Sequence, residues 1–112
     1  MTSERVPVIE IELAGRKWKA VIDTGFNGYL ELPQELKTLL HCEFVGRGES
    51  FLAGGHVIVE DVFEVEIPFD GERVLATATF APGNEILLGT RLLESYRLEI
   101  DFPARSVLLS RV

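Results

Sequence analysis

An all-β domain, a barrel or sandwich of short strands, is what this sequence predicts, and three observations lead there. Apolar and polar residues alternate with period two along most of the chain, turn-forming residues interrupt that alternation about every ten residues, and helical spacing is confined to two short stretches. The 112 residues suffice for a single domain spanning 1–112. A chain of this size buries roughly two thirds of the surface that its unfolded form exposes, so folding requires neither a disulfide nor a metal. The one cysteine, Cys42, has no partner for an internal disulfide.

Taken in order, Ile9, Ile11 and Leu13 share one side of a first strand whose other side carries Glu10 and Glu12. Ala14-Gly15-Arg16 forms a short polar turn, and Trp18, Ala20 and Ile22 then alternate with Lys17, Lys19 and Val21, which predicts a hairpin. Pro33 opens a short helix through Leu40. Val57, Val59, Phe63, Val65, Ile67 and Phe69 share one parity, giving a long strand or two collinear ones with a bend near Asp61. Asp70-Gly71 turns the chain into Val74, Ala76, Ala78 and Phe80, because both turn residues tolerate positive φ. A second short helix is expected over Thr90 to Tyr96, then a strand with Leu98, Ile100 and Phe102 inward, a turn at Pro103-Ala104-Arg105, and a last strand from Val107 to Val112.

Charge narrows the function classes. Eighteen acidic against eleven basic residues give a net charge of −7, which repels phosphate backbones and anionic headgroups, so no nucleic-acid partner is expected. No window approaches the roughly 18 apolar residues of a membrane span, and Met1 to Glu12 has three glutamates and no long apolar core. The expectation is a protein without a membrane partner, in the cytoplasm.

The chemistry-bearing stretch is Val21-Ile22-Asp23-Thr24-Gly25, an apolar strand ending in a carboxylate, a hydroxyl and a glycine. Asp-Thr-Gly alone arises by chance in roughly one chain in fifty of this length. At a strand end it also makes an ordinary Asx turn, in which the aspartate caps its own backbone. A second segment adds specificity: Glu85-Ile86-Leu87-Leu88-Gly89-Thr90-Arg91-Leu92-Leu93, an apolar run meeting a glycine about 65 residues after Asp23. Between the two lies a glycine-containing stretch, Phe51-Leu52-Ala53-Gly54-Gly55-His56-Val57-Ile58-Val59.

These three features, in this order and across nearly the whole chain, resemble the retropepsin-type aspartic proteases. The resemblance implies a closed acid-protease-type β-barrel with a flap hairpin and one or two short helices. It also implies half an active site per chain, since only one Asp-Thr-Gly occurs, completed in a homodimer by a second Asp23. Asp23 is then the catalytic residue, and Thr24 and Gly25 support the site. Phe26, Asn27, Ala53, Gly54 and Gly55 contact an extended peptide or protein substrate, while Leu88 and Gly89 are structural neighbours of the site. Two carboxylates so close share one proton; the ionised one draws a proton from water while the protonated one polarises the substrate carbonyl. Activity is expected to be best at mildly acidic pH, with no cofactor and no metal.

Two positions depart from that family's pattern. Phe26 stands where a small residue is usual, followed by Asn27 and Gly28 rather than acidic residues, and Gly89 is followed by Thr90, with Arg91 one place late for the family's ion pair. Other constellations are weaker: His41-Cys42 lacks metal-ligand spacing, Cys42 suits a core thiol, and Trp18 belongs to the core. Three functions follow: an aspartic endopeptidase, a non-catalytic dimerisation or peptide-binding module of the same fold, and an unrelated small barrel. The termini, Val6 to Ile11 and Val107 to Val112, are apolar enough to pair with a partner's edge.

Overall fold

Positive backbone torsions at two dipeptides fix the first features of the architecture. In the structure, a computed structural model that describes residues 1–2, 5–51 and 54–112, Ala14 and Gly15 have φ of 54° and 76°, and Asp70 and Gly71 have 52° and 75°. Successive left-handed residues form the hairpin turn whose twist matches that of its strands. Hence β1 (Val8–Leu13) folds back on β2 (Arg16–Ile22), and β5 (Val57–Phe69) on β6 (Glu72–Ala81). The remaining strands are β3 (Leu30–Pro33), β4 (Cys42–Phe51), β7 (Ile86–Leu88), β8 (Tyr96–Asp101) and β9 (Ser106–Arg111), with a 3₁₀ helix at Gln34–Thr38 that Pro33 introduces.

Seven strands pair in the order β1-β2-β7-β3-β6-β5-β4, and β8 and β9 form a separate two-stranded sheet. The β2–β7 and β3–β6 pairs are parallel and the others antiparallel. Residues opposite one another in register share a face, and the chain Ile22–Leu88–Leu30–Ala78 crosses four neighbouring strands on the buried one. Ala20, Leu32, Val65, Ile67, Ala76 and Ile86 extend that face, and Leu13, Trp18, Leu36, Phe69 and Leu92 close over it. Trp18 lies in the core as expected, its indole N–H donating to the Leu13 carbonyl at 3.2 Å.

The β8–β9 hairpin packs Tyr96, Leu98, Val107 and Leu109 on this core. Arg111 ties its end to the β5–β6 turn, donating to Glu72 at 2.8 Å and to the Tyr96 hydroxyl at 2.9 Å, while that hydroxyl donates to Asp70 at 2.9 Å. The Glu72 bond foremost, and then Tyr96, hold the Arg111 guanidinium still more firmly in its charged form.

The structure corrects several expectations. Among the described residues no ladder joins β1 to β4, so the large sheet keeps two edges where closure was expected, although β5 comes back into contact with β1. The long strand runs unbroken through Asp61, and the register irregularity falls in its partner, between Phe44 and Gly46, opposite Phe63 and Val62. Val57 and Val59 have the inward parity yet are exposed, because this part of the β4–β5 hairpin extends past the core. Phe102 is exposed too, having left the strand.

Thr90 to Ser95 is a run of turns rather than a second helix, with Leu93 bonded to Thr90 and Tyr96 to Leu93, three residues back in each case. Seven residues between two strands give little room for a helical nucleus. As for the terminal strands, β1 pairs with β2 and β9 with β8 of the same chain.

Position along β5 therefore decides what a side chain contributes. Ile67→Ala is expected to destabilise the fold by about 2–5 kcal/mol, whereas Val59→Ala, on the same face but 56% exposed, should shift stability by at most about 0.5 kcal/mol. Urea denaturation of the two variants makes the comparison, and equal losses would show that the hairpin end is packed.

Candidate active site

Three residues of β7 organise the site. They lie between the ends of β2 and β3, pairing in parallel with one (Val21↔Leu87, Ile22↔Leu88) and antiparallel with the other (Leu30↔Leu88, Glu31↔Leu87). The peptide linking β2 to β3 must therefore arch over the end of β7, and it begins with Asp23, whose N–H continues the ladder to the Leu88 carbonyl at 3.0 Å.

The arch is tied internally and to the segment after β7. Phe26 N–H donates to the Asp23 carbonyl at 3.1 Å, and Gly25 N–H to Asp23 Oδ1 at 3.0 Å. The expected Asx turn is thus present, capped by Asp23 itself. From across the site, Gly89 N–H donates to Tyr29 at 2.9 Å and Arg91 N–H to Gly28 at 3.1 Å. The Phe26 carbonyl accepts twice from Thr90, from N–H at 2.9 Å and Oγ1 at 3.3 Å. Satisfying backbone groups this way fixes a loop that has no regular structure of its own.

Gly89 makes the approach possible. A Cβ there would lie 2.6 Å from the Gly28 carbonyl carbon and nearer still to its oxygen, a separation no side chain can occupy. Gly25 sits close to the carboxylate, where a Cβ would come within 3.3 Å of Asp23 Oδ1.

Beside the arch lies a cavity of about 450 Å³. The loop contributes Gly25, Phe26, Asn27 and Tyr29 to its lining, and the β4–β5 hairpin contributes Glu60 and Val62. Arg91 also borders it, and among the described residues its guanidinium has no ion pair.

Of the residues singled out from the sequence, Asp23, Thr24, Gly25, Phe26, Asn27, Leu88 and Gly89 are therefore brought together. Asp23 is half-buried, Thr24 and Gly25 are exposed, and Leu88 and Gly89 are buried. Gly54 and Gly55 stand exposed toward the end of the β4–β5 hairpin with φ of 87° and 82°, and are not among the cavity's lining residues. Ala53 lies outside the described residues.

Sequence reasoning passed over Glu31 and Glu60. Burial first, then the negative charges of Glu60 and Asp23, push the Glu31 carboxyl above its ordinary 4.5. The signal was available in parity: Glu31 separates the core residues Leu30 and Leu32 and so must face away from them, the side to which Asp23, one residue past Ile22, also belongs. Cys42 is half-buried, its thiol near the Leu40 carbonyl at 3.5 Å and pushed up by burial against an opposing pull from Lys37. Among the described residues no three His, Cys, Asp or Glu side chains are grouped to hold a metal ion, and no helix is long and apolar enough to cross a membrane.

With this geometry in view, the chain can be set against known proteins. No protein-family model matches it. An uncharacterized protein of Archaeoglobus fulgidus is 28% identical over 99 residues, covering 81% of this chain and 75% of that one. Among solved structures, the foamy viral protease-reverse transcriptase in complex with an RNA/DNA hybrid aligns with a TM-score of 0.65 and 18% identity over 87% of this chain, which spans 13% of that longer protein. The simian foamy virus (mac) protease aligns at 0.60 and 22%, covering 79% of this chain and 92% of its own. An inhibitor complex of the EIAV protease aligns at 0.63 and 18%, covering 84% and 90%. The likeness is one of fold: this chain has a retroviral-protease-like fold.

The raised Glu31 carboxyl carries a sign that can be tested. Because folding favours its protonated form, ionisation opposes folding; the penalty is absent below the ordinary value, grows as pH rises toward the raised one and is complete above it. Glu31→Gln should therefore raise the urea midpoint at about pH 7 and leave it unchanged below about pH 4. A midpoint equally shifted at both would assign the effect to packing.

Proposed function

We propose that this chain is an aspartic endopeptidase that works as a homodimer. The observation that carries this reading is the placement of Asp23: a carboxylate at the start of a loop that is bonded to β7 and to the segment after it, and whose residues Gly25 to Tyr29 line a cavity, in a retroviral-protease-like fold. Each protomer supplies one Asp23, and the two-fold axis runs between them. Thr24 links the two loops across that axis. Gly25, Phe26 and Asn27 form the near wall of the cleft, and Gly54 and Gly55 of the hairpin, together with Ala53, contact an extended peptide that adds a strand to the site. Leu88 and Gly89 hold the loop from behind.

In the reaction, the ionised carboxylate takes a proton from a water molecule, whose oxygen attacks the scissile carbonyl carbon. The protonated carboxyl donates to the carbonyl oxygen, giving a neutral tetrahedral diol. Proton transfer to the amide nitrogen then accompanies C–N cleavage, and the pair returns to its singly protonated state. No covalent acyl-enzyme forms.

A second reading has a specific observation in its favour. Asp23 Oδ1 is already engaged as a turn cap, and Asp23 is not among the residues that line the cavity, whereas Phe26 is, which suits a non-catalytic dimerisation or peptide-binding module. Digestion of an unstructured polypeptide mixture separates the two. Wild type should cleave with a rate that rises from about pH 7 toward pH 4, and Asp23→Asn should lower kcat by at least about 10²-fold, the usual contribution of acid-base groups. No cleavage by either protein, in a sample that sedimentation shows to be dimeric, would favour the module.

A further inference from the structure

The two departures from the family's pattern, Phe26 and Thr90, meet in space. We propose that Phe26, Gly28, Gly89 and Thr90 act as one clasp that positions the Asp23 loop, with Phe26 as a positioning residue for the cleavage proposed above, on which its catalytic consequence rests.

Neither Gly28 nor Gly89 has a positive φ, so backbone torsion does not explain why both are glycine. Contacts do. A Cβ on Gly28 would stand 2.7 Å from Cε1 and 2.8 Å from Cζ of Phe26, and one on Gly89 would stand 2.9 Å from Cδ2 of the same ring. The ring thus fills the space that two side chains would take, with one edge on each glycine. It is half-buried there and lines the cavity.

The main chain of Phe26 is held equally firmly. Its N–H donates to the Asp23 carbonyl, and its own carbonyl accepts both from the Thr90 N–H and from the Thr90 hydroxyl. A glycine or alanine at 26 would keep those bonds but lose the ring that prevents the loop from sliding over Gly89. A residue without a hydroxyl at 90 would lose the second donor. Arg91, the next residue, adds no ion pair among the described residues. Ring, two glycines and hydroxyl together supply the restraint.

Because Gly28 is glycine only to admit the ring, removing the ring should relieve the demand. The test is a double-mutant cycle on the full chain, read by urea denaturation. Gly28→Ala should lower the folding equilibrium constant about tenfold or more in the wild type, and less than about threefold when combined with Phe26→Ala. Gly89→Ala collides with the Gly28 carbonyl rather than with the ring alone, and should be costly in both backgrounds. Should Phe26→Ala fail to fold, Phe26→Leu, which keeps apolar bulk, completes the same cycle. Equal cost of Gly28→Ala in both backgrounds would overturn the clasp.

Positioning has its own readouts. The Gly25 amide resonance reports the bond to Asp23 Oδ1. In the Phe26 variant it should move upfield, while amides of β8 and β9 stay in place, and kcat should fall at least about tenfold, beyond any rise in KM that losing a cleft-wall residue brings. An unmoved Gly25 amide, or a raised KM with kcat intact, would overturn the positioning role and leave the endopeptidase reading standing. A protein that cleaves nothing yet shows the coupling and the Gly25 shift would support the clasp and overturn the endopeptidase reading.

Discussion

The close approach of Gly89 to the Gly28 carbonyl is the constraint on which the site depends. Two backbones can meet at that distance only without a side chain between them, and meeting there lets three successive amides, from Gly89, Thr90 and Arg91, reach carbonyls of the β2–β3 loop. A loop of seven residues over a buried strand would otherwise leave polar groups without partners, at roughly 1–3 kcal/mol each. Here the loop is satisfied from below, and among the described residues no buried side-chain nitrogen or oxygen lacks a partner. The approach also explains why β7 needs only three residues: Ile86 and Leu88 are buried, and the strand is locked by neighbours on both edges.

From this junction the sheet divides into two mechanical regions. Toward Asp70, β5 is buried at every second position, and the β8–β9 hairpin is fastened over it by the Arg111 network. Toward the hairpin tip the same strand carries Val57, Val59 and, across from Val57, Phe51, all exposed. The backbone pairing is continuous through both halves while side-chain burial is not. Since burial of one aliphatic side chain is worth about 1.5–3 kcal/mol, the described residues at the far end of this hairpin contribute far less side-chain burial than those at its base.

Legibility in the sequence followed the range of the interaction. Both hairpins were readable because Ala14-Gly15 and Asp70-Gly71 carry their torsional preference locally, and the core faces of β1, β2 and the second half of β5 were readable from parity, whereas β3 and β4 were not read as strands. What stayed hidden was non-local. No residue in Ile86-Leu87-Leu88 announces that β2 and β3 will flank it, one parallel and one antiparallel. The exposure of Val57 and Val59 depends on the hairpin outrunning the core, and that of Phe102 on where its strand ends. The turns over Thr90 to Ser95 replace a helix for a similar reason: the first two amides of that segment are directed to the loop opposite.

The same distinction bears on the site. Asp-Thr-Gly forms its local Asx turn in this structure, so the bland and the functional readings of the tripeptide predict the same bond and cannot be separated by it. What separates them is the framework the turn is attached to. An ordinary capped turn is held at its two ends; this one is also held at Phe26, Gly28 and Tyr29, by donors that lie 60 to 64 residues away in sequence. A chain that needed only to reverse direction between β2 and β3 would gain nothing from so many fixed points. Glu31, on the same side of the sheet, feels the charge of the Asp23 carboxylate, and a loop fixed at so many points keeps the two within reach of each other. That the loop is clamped is the physical argument that the position of Asp23, and not just the turn it makes, is what the surrounding structure maintains.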